Sequence, residues 1–208
     1  MNTWFMSDLH LGVTDDRAKI MQRPYNWRSL LYDYCGVIKS KDLVVIVGDV
    51  CDQGNAEHLE QLNEIRGRKW LLRGNHDQAI SDEAFAPYFE RIFPEDHLVI
   101  TDIPCDGADL RISMNHYPHM SSPSYFHVTG HIHGAWKFQQ NMINIGIDAN
   151  HFMPVNMTRI PFFLKAICEY YDKDVWCWSH ETNSEHWARG KKGYYFEAEP
   201  QHHRIELE

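Results

Sequence analysis

Two rhythms of apolar and polar residues divide the chain. In the first half, short apolar runs alternate with stretches of helical spacing. Met1 to Ser7 reads as a first strand. Trp27, Leu30, Leu31, Tyr34, Val37 and Ile38 then recur at helical spacing behind Asn26, a residue suited to an N-cap. Leu43-Val-Val-Ile-Val47 is a continuous apolar run, the pattern of a strand buried on both faces. Asn55 is placed to cap a helix carrying Leu59, Leu62 and Ile65, with Gly67 as its terminator. Lys69 to Arg73 predicts a third strand. Ser81 is expected to cap a helix through Phe85, Tyr88, Phe89 and Ile92.

The second half is mostly strand-like. Leu98 to Ile103, Leu110 to Met114, Tyr125 to Thr129 and Met142 to Ile147 are short candidates joined by turn-rich links. After Pro154 the helical period returns in Ile160, Phe163, Leu164, Ile167 and Tyr171. Thr158 is a possible cap there, and Pro161 falls in the tolerated first turn. Units of β-α-β followed by β structure predict an α/β layered sandwich, with helices outside and sheets within. One domain is expected over residues 1–171. Residues 172–208 form a C-terminal helical and aromatic extension without a motif, in which Trp176, Trp178 and Trp187 read as packing anchors.

A length of 208 residues suits that single domain, and 43% hydrophobic content supports a sizeable core. The net charge of -9 disfavours general binding to long nucleic acid, which needs clustered Lys and Arg. It leaves a phosphate substrate open, because bound divalent cations invert the local field. Five cysteines are scattered without a C-x-x-C pair, the usage of a reducing, cytoplasmic protein. Neither a signal-like segment nor an apolar run long enough to span a membrane is present in the sequence.

The chemistry lies in five short words. They are Asp8-Leu-His10, Gly48-Asp49-Val-Cys-Asp52, Gly74-Asn75-His76-Asp77, Asn115-His116 and Gly130-His131-Ile-His133. Side chains just past the ends of several strands can converge on one point, the usual place for chemistry on open α/β sheets. Asp8 and His10, two positions apart on an extended strand end, would point the same way and grip one metal. His131 and His133 share that spacing, and Asn75 offers a neutral amide oxygen. A carboxylate bridges two cations where an imidazole cannot, so Asp49 is the candidate bridge. Oxygen and nitrogen donors without thiolate suit Mn, Fe, Zn, Ni or Co.

In this order the words resemble the signature of the calcineurin-like metallophosphoesterases, D-x-H, G-D, G-N-H-D/E, H and G-H-x-H, over about residues 3 to 155. The run from Asn144 to Val155 further resembles small bacterial and viral hydrolases of the family. What the resemblance implies is a four-layer αββα sandwich with two divalent metal ions, manganese being the usual activator in vitro. Asp8, His10, Asp49 and His133 would hold one ion. Asp49, Asn75, His116 and His131 would hold the other. His76 would lie beside them.

The implied chemistry is phosphoester hydrolysis. Two cations about 3.5–4 Å apart would share a water as a bridging hydroxide nucleophile. Asn75 would help neutralise the phosphoryl oxygens, and His76 would protonate the leaving group. Asp52 either orients His76, as in phosphoprotein phosphatases, or is a turn residue. Arg73 either binds phosphate or braces its loop, and His119 either touches substrate or is structural. Asp77 is expected to orient the Asn75–His76 loop. Monoesters and diesters stay level as substrates, with small or nucleotide-derived molecules favoured over long nucleic acid. Lipid A precursor pyrophosphatases carry arginine where this chain has His76, which disfavours that branch. The alternative from another class is a protein-binding scaffold of the same fold, which would usually have lost some of these residues.

Overall fold

A computed structural model of the chain describes residues 1–105, 108–122, 124–139, 141–170 and 201–204. Its elements begin with β1 (Thr3–Met6), α1 (Asp15–Ile20), α2 (Trp27–Cys35), β2 (Leu43–Val47), β3 (Arg68–Leu72), α3 (Asp82–Phe85) and β4 (Arg91–Phe93). There follow β5 (His97–Cys105), β6 (Ala108–Met114), β7 (Phe126–Thr129), β8 (Phe138–Gln139), β9 (Met142–Asn144), β10 (Val155–Asn156), α4 (Arg159–Tyr170) and β11 (Gln201–Arg204).

Two sheets result. The first runs β10-β1-β2-β3-β4, with β1 to β4 parallel and β10 antiparallel at the edge. The second runs β11-β5-β6-β7-β9-β8, with β6, β7 and β9 mutually parallel. The apolar run of β2 is buried along its whole length because it is covered on both faces. Val44 and Ile46 pack outward against Leu31, Ile38 and Leu62 of the helical layer. Val45 and Val47 pack inward with Val99, Ile112 and Val128 of the second sheet. This is a mixed α/β sandwich of two sheets, as the resemblance implies. Over the outer face of the second sheet, Leu98 and Ile100 are covered by Met120 of the 3₁₀ turn Pro118–Met120, with Tyr117 and Tyr125 beside it.

Some local expectations change. The segment behind Asn55 is a 3₁₀ helix, Ala56–Glu64, capped as expected by the Asn55 side chain on the Glu57 N–H at 3.1 Å. Leu59, Leu62 and Ile65 recur every three residues, which is the 3₁₀ period itself. Ser81 does cap α3, accepting the Ala84 N–H at 3.4 Å, but the helix stops at Phe85. Pro87 ends the ladder because it has no N–H to donate and its ring crowds the preceding turn, while Ala86 before it still holds helical angles (φ -54°, ψ -33°). Ile92 therefore belongs to strand β4. Asn26 precedes α2 without a side-chain cap bond. The Thr158 hydroxyl donates to Asn156 Oδ1 at 2.7 Å.

Most of the aromatic extension, including its three tryptophans, lies outside the described residues. Its strand β11 pairs in parallel with β5 at the edge of the second sheet. Among the described residues no helix is long and apolar enough to cross a membrane.

Candidate metal centre

The carboxyl ends of β1, β2, β3, β6 and β7 meet at one place. A parallel bridge between Ser7 and Gly146 helps join the two sheets there, and the Ile147 N–H donates to the Ser7 carbonyl at 3.0 Å. All the expected ligands come together around this junction. Asp8, His10 and His133 form one group able to hold a metal ion. Asp49, His116 and His131 form another, and His10, Asp49 and His76 a third.

Convergence is reached by turning the chain rather than extending it. Asp8 (φ 59°), His10 (φ 46°), Asp49 (φ 56°), His131 (φ 73°) and His133 (φ 49°) all sit in the left-handed region. The extended strand end expected for Asp8 and His10 is thus replaced by two tight reversals. Residues held this way cluster at functional sites, because the surroundings must over-determine them. Gly48 (φ 85°) precedes Asp49, and a Cβ on it would lie 2.3 Å from His116 Nδ1. Gly130 packs so closely that a Cβ would lie 1.9 Å from Ser7 Oγ.

The donor atoms fit cations. His10 Nε2 and His116 Nε2 are buried without a hydrogen-bond partner, a costly state for a polar atom. They lie 3.6 and 3.3 Å from the same oxygen, Asp49 Oδ2. The opposite ring nitrogens are engaged: His116 Nδ1 donates to the Val47 carbonyl at 2.8 Å, and His10 Nδ1 lies 3.2 Å from Asp52 Oδ1. Such partners hold each ring so that Nε2, the opposite nitrogen, is the atom turned towards a metal. His131 Nδ1 lies 3.1 Å from Asn75 Oδ1, and its backbone N–H donates to both oxygens of Asp8.

Burial and charge set the protonation pattern. Burial drives His10 down to about 3 and His131 down to about 4, so both rings are neutral. Burial also penalises His116, but Asp49 and Asp8 outweigh it and hold His116 up at about 9. Burial would raise Asp49 too, yet the close approach and charge of His116, the charge of His10, and the His76 N–H hold it well below the usual carboxylate range. Burial raises Asp8.

The other expected residues sort by geometry. Asp77 is fully buried and accepts the N–H groups of Asp49, Val50 and Gly74 at 2.8, 2.9 and 2.9 Å, tying two ligand loops together. Burial pushes it up to about 6. Asp52 lies 4.0 Å from His76 Nδ1, farther than from His10. His76 Nδ1 instead accepts the Gln53 N–H at 2.8 Å. Arg73 spends its guanidinium on the carbonyls of Asp77 and Ile80 and on Asp82, at 2.5, 2.8 and 2.5 Å. His119 stands against the Tyr117 ring, which in turn stands against His131, with centroid separations of 5.2 and 4.9 Å.

Three participants were not singled out as site residues in the sequence. Asp148 Oδ2 lies 2.7 Å from His133 Nδ1, and this contact raises the histidine. The fully buried guanidinium of Arg23 grips Asp148, and Arg17 grips Asp52. Asp148 ends the run Asn144-Ile-Gly-Ile-Asp148, a charged end to an apolar stretch that is the one local signal available.

Comparison with known proteins bears on this centre. A profile described as calcineurin-like phosphoesterase matches residues 1–183. The Gene 66 protein of Mycobacterium phage D29 is 29% identical over 131 residues, 57% of this chain. The match spans 65% of that relative's length. Among solved structures, a protein of unknown function from Aquifex aeolicus aligns with TM-score 0.58 at 21% identity, covering 78% of this chain and 98% of that one. A nuclease MPE from Pseudomonas putida aligns with TM-score 0.43 at 16% identity, covering 65% and 64%.

Proposed function

This chain belongs to the calcineurin-like phosphoesterase family, and we propose that it hydrolyses phosphoesters with the help of two divalent cations. One observation carries the reading: two unpartnered, buried Nε2 atoms, from His10 and His116, face the same carboxylate oxygen of Asp49. Asp8, His10, Asp49 and His133 would hold one cation. Asp49, Asn75, His116 and His131 would hold the other. Bound there, the cations would supply Lewis acidity. Oxygen and nitrogen donors suit manganese among several metals.

The chain's own residues do the rest. Asn75 presents a neutral amide to phosphoryl oxygens. His76 accepts the Gln53 N–H at Nδ1, which leaves Nε2 to face a leaving oxygen. As a general acid in its imidazolium form, His76 would turn Nδ1 into a donor, and Asp52 Oδ1 at 4.0 Å is a carboxylate within reach. Tyr117 stands against His131 with His119 beyond it, and there His119 would line the approach of a substrate. Arg73 acts as a brace for the Gly74–Asp77 loop. The acidic chain favours a small or nucleotide-derived ester over long nucleic acid. The free thiols of Cys35, Cys51 and Cys105 suit a reducing, cytoplasmic setting.

Turnover of a chromogenic phosphomonoester and of its bis-ester, with manganese added or chelated, tests the proposal. Metal-dependent hydrolysis of either supports it, and the preferred ester selects the branch. A protein that holds two metal ions and hydrolyses neither ester would speak against it.

A further inference from the structure

Both histidines of one metal position are backed by carboxylates, and both carboxylates are backed by arginines. His10 Nδ1 lies 3.2 Å from Asp52 Oδ1, and Arg17 Nε lies 2.9 Å from Asp52 Oδ2. His133 Nδ1 lies 2.7 Å from Asp148 Oδ2. Arg23 closes on that carboxylate with Nε at 2.7 Å and Nη2 at 2.9 Å. The two arginines belong to one short stretch, α1 and the turn after it. Arg23 goes further and donates to the carbonyls of Asp8 and Leu9, at 2.6 and 3.1 Å. It thereby holds the backbone of a third ligand of the same position. The His10 and His133 rings stack at 4.9 Å with 21° between planes, so the two arms meet face to face.

The other position is built differently. His116 Nδ1 bonds the Val47 carbonyl at 2.8 Å, and His131 Nδ1 lies 3.1 Å from the Asn75 amide oxygen. Both partners are neutral.

We propose that Arg17 and Arg23, acting through Asp52 and Asp148, are positioning residues that clamp one metal position and leave the other untouched. The inference rests on the two-cation reading above. A carboxylate on the far nitrogen fixes an imidazole's tautomer and raises its strength as a ligand, and partners of this kind carry large effects on metal affinity. The arginine fork holds the carboxylate in one plane, which a lysine would not do. Arg23 has little freedom to do otherwise. Its side chain is wholly buried, and its guanidinium lies 4.5 Å from the centroid of the Trp27 ring. The consequence is an unequal pair: the position holding His10 and His133 fills first, and the stretch from Arg17 to Arg23 sets its affinity.

The test uses the full chain, stripped of metal and titrated with Mn²⁺ by calorimetry. Anomalous scattering from crystals at sub-saturating Mn²⁺ assigns each binding step to a position. Wild type should bind two ions in two steps. Asp148→Asn should weaken the clamped position roughly 10–100-fold and leave the other unchanged. Arg17→Met should shift the same step in the same direction. Arg17 is half-exposed, so this variant keeps the test decisive if the buried Asp148→Asn protein does not fold. Arg28→Met, which loses contacts with the Trp27 ring, Asp15 and the Val13 carbonyl but none with Asp52 or Asp148, should shift neither step. Equal weakening of both positions, or of neither, would overturn the clamp. A wild-type chain that binds fewer than two ions would overturn the two-cation reading and the clamp with it.

Discussion

The backbone N–H of His76 donates to Asp49 Oδ1 at 2.9 Å. The second oxygen of that carboxylate faces His10 and His116. One side chain therefore anchors the loop of the proposed general acid and lies at the centre of the candidate metal ligands. Asp49→Ala should strip metal more severely than any other single change and displace His76 as well. Metal analysis of the purified variant checks this, and retention of two tightly held ions would remove Asp49 from the bridging role.

His76→Ala separates acid from ligand. Turnover should fall by roughly 10²–10⁴ if proton donation contributes to the rate, while metal content stays near two. The drop should be smaller for an ester whose leaving group is already acidic. Loss of both ions in this variant would make His76 a ligand instead.

Arg73 has a similar choice of roles. Its guanidinium bonds two carbonyls and Asp82 and sits 4.8 Å from the centroid of the Phe85 ring. Arg73→Met should lower unfolding stability by roughly 1–3 kcal/mol, because buried carbonyls lose their donors. KM for a small ester should stay the same. A raised KM at unchanged stability would return Arg73 to phosphate binding.

Acid stability reports on a histidine outside the candidate ligand set. His127 is fully buried, with Nδ1 2.8 Å from Ser113 Oγ and Nε2 3.3 Å from the Tyr117 carbonyl. Burial, helped by His119, pushes it down to about 4 against the opposing Tyr117 bond. The unfolded chain, with a value near 6.5, takes up this proton first as pH falls. The contribution is therefore complete above pH 6.5 and drains away towards pH 4, by roughly 3 kcal/mol. Urea unfolding between pH 7 and 4.5 should show a shallower pH slope for His127→Gln than for wild type. Identical slopes would show that His127 is not the group responsible.

The candidate ligands were legible as a group because they occupy strand ends, at spacings that local sequence displays. Their partners were not. Asp148 lies 15 residues from His133 and 125 from Arg23, and only the closed sandwich brings them together. Asp52 was legible as a carboxylate near the site, but not which histidine it would serve. That depends on Arg17, which reaches it from α1 across 35 positions. The 3₁₀ helix was written in plain sight as a three-residue apolar spacing. The short α3 was equally readable in Pro87. The left-handed backbone of the candidate ligands was hidden, since period-two reasoning assumes an extended chain.

Those five left-handed positions set foldability against function. In that region a side chain strains the backbone by about 1–2 kcal/mol, and glycine alone is at ease. Glycine at buried Asp8, His10 or Asp49 would relieve that strain but leave a void, and at Asp8 and Asp49 it would also leave orphaned N–H groups. Only at exposed His131 does relief of the backbone come without such a loss. Decay of the site should therefore begin there, with glycine tolerated at 131 before it is tolerated at the three buried positions.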